Sequence, residues 1–473
     1  MKQAMKRWTG IFLALALLAG LIFPLSVTAA ESRPLTFYVM SDIHIYDATE
    51  PRHEGDQNDV NISPEAFHAA ISEFLAQPDG DILLISGDLT DDSRRIQHEG
   101  VVRELQRVTD AGKKVFVVTG NHDYHRGAVD GGGLYDYVPR NRVPEYYNAQ
   151  FGYQAAYAAY DDFNYAVELA PGYRLLCLND DDNGSGQRGF SETHLNWILE
   201  RIAEAKAASD EIFGIMHYAL LPATEFYSLF AQGEMIPDYE RISTLLADAG
   251  MHFIFTGHTH IRNIAQKTTA KGNTITNIST GALCAYPASF RKVQINNGTL
   301  HMSTLELESI DKDLGGKTLR EYQYDRFHDQ LTELFHAMGS DIDAFANQAG
   351  TLGLSREIVE DNKALLSIVG KVVNRVTLGQ LSLLFLTFPE RSVRKIKLAD
   401  LMADFVFNLY AGDRSYGPDT PIGRPLFIIF KRLDRILGLV RLFGVELPFE
   451  SLTTLMGGLI YDPLSSSYGE FLL

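Results

Sequence analysis

The sequence predicts an α/β fold of alternating strands and helices, followed by a helical C-terminal region. Between residue 35 and about residue 308, short apolar runs alternate with amphipathic segments, the rhythm of strands and the helices that cover them. Near residue 308 the alternation stops, and Thr318-Leu319-Arg320-Glu321 opens a capping box after Gly315-Gly316. With 473 residues, 45% of them hydrophobic, the chain exceeds one typical core. Two domains are therefore expected, 31–310 and 317–473.

The strand-like runs are 36–40, 81–85, 115–119, 174–178, 212–216 and 252–256. Helices are expected at 64–77, 96–111, 191–207 and 239–249, with Ser63 and Ser191 as N-caps and Gly112 and Gly250 as stops. The turn-rich segment 180–189 and the polar segment 46–61 read as loops. Past the boundary, a helix from Thr318 ends at Gly339, and others are expected at 356–377, 397–410 and 426–443. The apolar face formed by Leu365, Leu366, Ile368, Val369, Val372, Val373 and Val376 exceeds what a thin bundle needs, so part of it should pack on the first domain. This region is expected to wall the crevice rather than supply chemistry. The run 381–388 is too short to cross a membrane, and Lys431, Arg432, Arg435 and Arg441 read as a solvated helix face.

Lys2, Lys6 and Arg7, the apolar run 11–27 and then Thr28-Ala29-Ala30 have the pattern of a signal peptide over 1–30, with an uncleaved membrane anchor as the alternative. Secretion or display at the cell surface follows from either. Removing those three basic residues takes the formal charge from −18 to −21, which disfavours nucleic acid and anionic membranes unless a local basic patch intervenes. Membrane association is thus expected only if the N-terminal segment is retained, and the oligomeric state is left open. Cys177 and Cys284 lie in apolar, strand-like stretches and read as buried thiols, with a disulfide as the alternative.

Five segments share one grammar, an apolar run followed at once by residues able to bind a metal ion: Asp42 and His44 in SDIH, Asp88 in GDLTD, Asn121 and His122 in GNHD, His217 in IMHY, and His258 and His260 in GHTH. In an open α/β sheet the strand C-termini face one crevice, so these residues converge despite their separation in sequence. Carboxylate, imidazole and amide oxygen together suit two cations, with Asp88 as the shared ligand. Gly87, Gly120 and Gly257 precede three of the five sites, where backbone must turn sharply or come close to a metal or phosphate. Solvated loop positions are expected for Tyr46, His53, Tyr124 and His125. The stretch 280–291 reads either as a hairpin or as an approach to substrate.

In this order the motifs resemble the calcineurin-like metallophosphoesterases, over roughly residues 35–305. The stretch 178–202, in which an Asp/Asn-bearing strand end leads to a Ser-capped helix with Trp197, resembles that family's cyclic-nucleotide phosphodiesterase-like branch. The resemblance implies a two-sheet βαβ sandwich. It implies two metal ions, manganese or iron first and zinc as an alternative. Asp42, His44, Asp88 and His260 would surround one ion, and Asp88, Asn121, His217 and His258 the other. His122 resembles the family's catalytic histidine, which contacts the phosphate and protonates the leaving oxygen, with Asp91 orienting it. The function implied is hydrolysis of a small-molecule phosphate ester by a metal-bridging hydroxide. A phosphodiester such as a cyclic nucleotide is the first expectation. The alternatives are a phosphomonoesterase or nucleotidase, and a non-catalytic cell-surface binding protein.

Overall fold

A computed structural model describes residues 34–46, 59–125, 136–352, 356–442, 444, 448–464, 466 and 468–473. The expected signal segment 1–30 and His53 lie outside them. The chain first lays down three parallel strands, β1 (Leu35–Met40), β2 (Ile82–Ser86) and β3 (Lys114–Val118). It then builds a second sheet from β4 (Ala156–Ala159), β5 (Tyr165–Ala170), β6 (Tyr173–Cys177), β7 (Glu211–Ile215), β8 (Phe253–Thr256), β9 (Asn263–Thr268) and β10 (Thr274–Ser279). Finally β11 (Ser289–Asn296), β12 (Thr299–Glu306) and β13 (Tyr468–Leu472) return to the first sheet. The sheet orders are β13-β12-β11-β1-β2-β3 and β4-β5-β6-β7-β8-β10-β9.

Period-two alternation explains the layering. On β1, Phe37 and Val39 enter the core between the sheets, where they meet Phe116, Phe213 and Phe255. The intervening Tyr38 and Met40 face α1 (Ser63–Ala76) and α2 (Arg95–Asp110), packing with Phe67, Phe74 and Leu105. On the second sheet, Leu176, Leu178, Ile212 and Met216 lie under α3 (Glu192–Ala208) and α4 (Tyr239–Ala249), against Leu195, Ile198 and Leu246. Both faces of the central strands are therefore apolar, as strands covered on two sides must be. The result is a two-sheet βαβ sandwich.

All six expected strands and the four expected helices of this part fall within one residue of their anticipated ends. Ser191 caps α3 by accepting from the His194 amide at 3.2 Å, and Gly250 ends α4 at φ 118°. Ser63 does something else: it is the first helical residue, and its hydroxyl accepts from the Tyr46 amide and donates to the Val60 carbonyl. The hairpin reading of 280–291 is not borne out, since the chain there crosses from β10 in one sheet to β11 in the other. Tyr46 and Tyr124 are buried rather than solvated, Tyr124 within the α1–α2 core and Tyr46 against Val60 and Cys284. His125 is exposed and stacks on Tyr137. Cys177 and Cys284 are buried free thiols.

The C-terminal helices include α5 (Leu319–Ser340), α6 (Lys363–Val373), α7 (Leu378–Leu384), α8 (Leu398–Ala411), α9 (Gly423–Leu442) and α10 (Leu452–Ile460), with short helices at Ile342–Gln348 and Arg356–Asp361 between α5 and α6. Thr318 and Glu321 form the expected capping box. Gly339 does not stop α5. It lies in the last turn, where a Cβ would meet the Gly370 backbone at 2.6 Å, so the glycine pair permits close crossing of α5 and α6. The single helix anticipated over 356–377 is broken, and Thr377 instead caps α7. The apolar face of α6 does not reach the sandwich, because Leu365, Ile368, Val369 and Val372 are exposed. Contact with the sandwich comes from α5 and α8, whose Phe327, Leu331 and Phe407 share a core with Ala219, Tyr227, Met235, Ile261 and Tyr286. Arg414 reaches back to Asn263 at 2.8 Å, and the fully buried Arg291 donates to the carbonyls of Ser279 and Ser466. With β13 paired to β12, the last residues of the chain complete the first sheet. No helix among the described residues is long and apolar enough to cross a membrane.

One buried polar group in this fold gives a pH test. His98 on α2 stacks on Tyr146, and its Nδ1 lies 2.7 Å from the Tyr147 hydroxyl. Burial pushes its pKa down to about 3, the nearby Arg95 adding to burial and the Asp123 carbonyl opposing it. The folded chain thus holds His98 neutral where the unfolded chain binds a proton. Its contribution to stability is complete above about pH 6.5 and is lost as pH falls towards 3. His98→Gln should therefore reduce the pH slope of unfolding free energy in that window by up to one proton, about 1.4 kcal/mol per pH unit. Urea melts at a series of pH values read this slope, and an unchanged slope would refute the assignment.

Candidate metal centre

The strand ends of both sheets are stitched together where the five motifs meet. The Asp42 amide donates to the Gly87 carbonyl, the His44 amide to the Asp88 carbonyl, and the Gly257 amide to the His217 carbonyl. The site also concentrates unusual backbone. Asp42, His44, Asp88, His258 and His260 all have φ between 49° and 64°, five of the eleven positive-φ non-glycine residues in the described chain. Such conformations cost of order 1–3 kcal/mol each and persist where surrounding structure enforces them.

Ligating atoms of Asp42, His44, Asp88 and His260 lie within 4.8 Å of one another, as do those of Asp88, His217 and His258. Asp88 belongs to both groups. Asn121 joins the second, its Oδ1 3.1 Å from His217 Nε2. All seven residues expected to hold metal are thus brought together.

The tautomers decide what these atoms can do. His217 Nδ1 lies 2.9 Å from the Ser86 carbonyl, which can only accept, so Nδ1 carries the proton. Nε2 then faces Asp88 Oδ2 at 3.1 Å, Asn121 Oδ1 at 3.1 Å and His258 Nδ1 at 3.2 Å. On the other side His44 Nε2 and His260 Nε2 stand 3.2 Å apart, with Asp42 Oδ1 3.4 Å from His260 Nε2. Converging lone pairs repel unless cationic charge sits among them, and two cations satisfy both groups. The donor set fits a dinuclear centre.

Burial opposes a charge on His217, yet Asp88 beside it pushes its pKa well above the usual imidazole range, so without metal a proton occupies Nε2 where a cation would otherwise bind. Burial opposes ionisation of Asp88, yet the facing His217 and His122 hold its carboxyl well below the usual carboxylate range. Burial holds His44 and His258 well below the usual imidazole range, in the neutral form that binds metal.

His122 lies beside these groups. Its amide donates to Asp88 Oδ1 at 2.9 Å, which fixes the carboxylate. Its Nδ1 stands 2.6 Å from the backbone carbonyl of Asp91. Asp91 thus holds His122 through its main-chain carbonyl, while its carboxylate stands 3.7 Å from His44 Nδ1 and within 4.8 Å of both imidazoles. Burial alone would lower the pKa of His122, but Asp88 and the Asp91 carbonyl push it up.

Three supporting carboxylates escaped the sequence reading. Asp123 accepts from the amides of Thr90 and Gly120, at 2.8 and 2.9 Å, holding two motif loops together; it is the last residue of GNHD, so its signal was present. Asp180 accepts from the amides of His217 and Tyr218, at 3.1 and 2.9 Å, and lies in what reads only as a turn-rich loop. Burial raises Asp123 to about 6, with Asp88 adding to it, and raises Asp180 to about 7. Glu234 Oε2 stands 3.4 Å from His258 Nε2, behind the ring, and no motif marks it.

A metal-binding cluster at the strand ends of a two-sheet βαβ sandwich defines a metal-dependent hydrolase scaffold. Residues 35–262 match the family model described as calcineurin-like phosphoesterase, a family that depends on dinuclear metal. No curated protein sequence matches the chain. Among solved structures, a dimetal phosphatase from Danio rerio is 14% identical, with 58% of this chain and 98% of that one covered at a TM-score of 0.42. A purple acid phosphatase from yellow lupin (Lupinus luteus) is 15% identical, with coverages of 58% and 52% and a TM-score of 0.40. An NAD nucleotidase from Haemophilus influenzae is 13% identical, with coverages of 63% and 56% and a TM-score of 0.36.

The crowding at Gly120 gives a sharp test. A Cβ there would stand 2.3 Å from Asp88 Oδ1 and 2.7 Å from His217 Nε2, while the backbone itself lies outside the left-handed region. Gly120→Ala should displace these two side chains at a cost of about 1–3 kcal/mol and lower bound metal per folded chain. Gly438→Ala, where a Cβ meets nothing within 4 Å, should leave metal content unchanged. Elemental analysis of the two folded variants checks this, and equal metal content would refute the proposed crowding.

Proposed function

We propose that this protein is a dinuclear-metal phosphoesterase acting on a small phosphodiester outside the cytoplasm. The observation that carries the reading is the pairing of two lone-pair clusters through one carboxylate, with His122 poised beside them. Asp42, His44, Asp88 and His260 hold one ion, and Asp88, Asn121, His217 and His258 the other; manganese or iron is the first choice. When bound, the two cations supply Lewis acidity, lowering the pKa of a shared water and neutralising phosphate oxygens. His122 acts as general acid. With Nδ1 committed to the Asp91 carbonyl, Nε2 is the atom that hands a proton to the leaving oxygen.

The diester is favoured by the resemblance of residues 178–202 to the cyclic-nucleotide phosphodiesterase-like branch of the family. The extracytoplasmic location rests on the pattern of residues 1–30, and a mature N-terminus at Glu31 would support it.

Asp88→Asn should reduce two metals per chain to one or none, and activity should fall with them; retention of both metals would remove Asp88 as the bridge. His122→Ala should keep both metals and lose about 10²- to 10⁴-fold in kcat on esters with poor leaving groups. On p-nitrophenyl esters, which need little protonation, the loss should be smaller, and an equal loss would refute the general-acid role. Comparing bis(p-nitrophenyl) phosphate with p-nitrophenyl phosphate tests the substrate class, and a higher kcat/KM for the monoester would reassign the enzyme as a monoesterase.

A further inference from the structure

Far from the metal centre in sequence, the C-terminal helices expose large apolar side chains that no part of the described chain covers. At the end of α7 and in the turn after it, Leu383, Leu384, Leu386 and Phe388 are 62%, 76%, 69% and 76% exposed. Leu386 is also held at φ 49°, a conformation that a bulky apolar residue rarely adopts. Beside this turn lies α9. The two helices share a core of Leu378, Leu426, Ile429 and Phe430, and the Arg432 guanidinium donates to the Phe385 carbonyl. Ile436 and Leu439, at i+4 and i+7 from Arg432, continue the face of α9 that meets the turn, and they are 52% and 60% exposed. The exposed residues of α7 and α9 therefore form one surface.

That surface is basic in an acidic protein. From 378 to 397, Arg391, Arg394, Lys395 and Lys397 face a single acid, Glu390, for a net +3. This stretch folds back on α7, where the Gly379 amide donates to the Arg394 carbonyl at 3.0 Å. From 423 to 442, five basic residues face Asp434 alone, for a net +4. Asp434 is turned away, accepting from the Leu452 and Thr453 amides at the start of α10. Together these segments carry +7 in a chain of −18, so the remaining residues carry −25.

We propose that the α7–α9 surface docks the protein on an anionic lipid bilayer, with Leu383, Leu384, Leu386 and Phe388 entering the headgroup and acyl boundary and the flanking lysines and arginines meeting lipid phosphates. Exposed bulky apolar groups ringed by cations match an interfacial membrane surface. Lys and Arg side chains near an anionic surface add to its attraction for the protein. The acidic remainder does not cancel this, since charges more than a Debye length from the bilayer, about 8–10 Å in physiological salt, are screened. A protein partner would need its own acidic and apolar complement, whereas an anionic bilayer offers both over any area. Docking through this face is independent of the N-terminal segment.

The test uses the full chain with Leu384→Cys carrying an environment-sensitive fluorophore, since Cys177 and Cys284 are fully buried and will not label. Vesicles of phosphatidylcholine with phosphatidylglycerol should shift its emission to the blue and, with brominated acyl chains, quench it; high salt should reverse both. The same label at Lys271→Cys, on the β9–β10 turn, should not respond. Lys431→Glu with Arg435→Glu, both at exposed positions, should weaken the response at least about tenfold while leaving turnover of soluble ester unchanged. An equal response to phosphatidylcholine alone, or none to either vesicle, would overturn the proposal. So would a shift that grows with protein concentration without lipid, which would make this face a contact between two copies of the chain.

Discussion

Asp88 is the residue around which the site is arranged. Its carboxylate stands among several imidazoles where two sheets meet, and a buried acid there is tolerable only because cationic or proton-donating groups surround it. The His122 amide fixes one oxygen, and His217 stands against the other. Gly120 leaves space that any side chain would fill. The left-handed backbone at five of the clustered residues is the local cost of bringing them close, and the inter-sheet core of Phe37, Phe213 and Phe255 supplies the rigidity that offsets it.

Around this centre lies a shell of buried carboxylates that bind backbone rather than metal. Asp123 and Asp180 each accept two amides from the motif loops, so loops with few apolar contacts are held by charge-assisted bonds. The rim segment that carries Glu234 is supported from the far side, where Tyr227 and Met235 pack into the core of α5 and α8. The C-terminal helices are thus joined to the rim of the site through ordinary packing, and β13 and Arg291 tie the end of the chain into the first sheet.

The charge of the chain is partitioned rather than uniform. An acidic body with a basic, apolar helical corner has an orientation relative to a charged interface, which net charge alone conceals. Reading Lys431, Arg432, Arg435 and Arg441 as a solvated helix face took account of α9 alone. Only the docking of α7 beside it, through Arg432, sets bulky apolar groups among those cations.

The sequence by itself determined the sandwich elements and the residues that cluster at their ends, for a physical reason. A strand covered on both sides must be continuously apolar, and a metal ligand must sit at its end, so 36–40 followed by Asp42 and His44, or 252–256 followed by His258 and His260, leaves little else to read. The edge strands β4 and β9, and β10 inside the sheet with its polar residues, carry a weaker pattern and left no comparable trace. Local capping made the start of α5 legible at Thr318, whereas Gly339 could not be told from a helix stop until Gly370 was seen against it. What only the tertiary structure decided were the interactions set by approach in space. The main-chain carbonyl of Asp91 bonds His122, Glu234 stands behind His258, and the face of α6 stays in solvent while α5 and α8 meet the sandwich. Periodicity fixes which side of an element is apolar, but what that side meets depends on how distant segments pack.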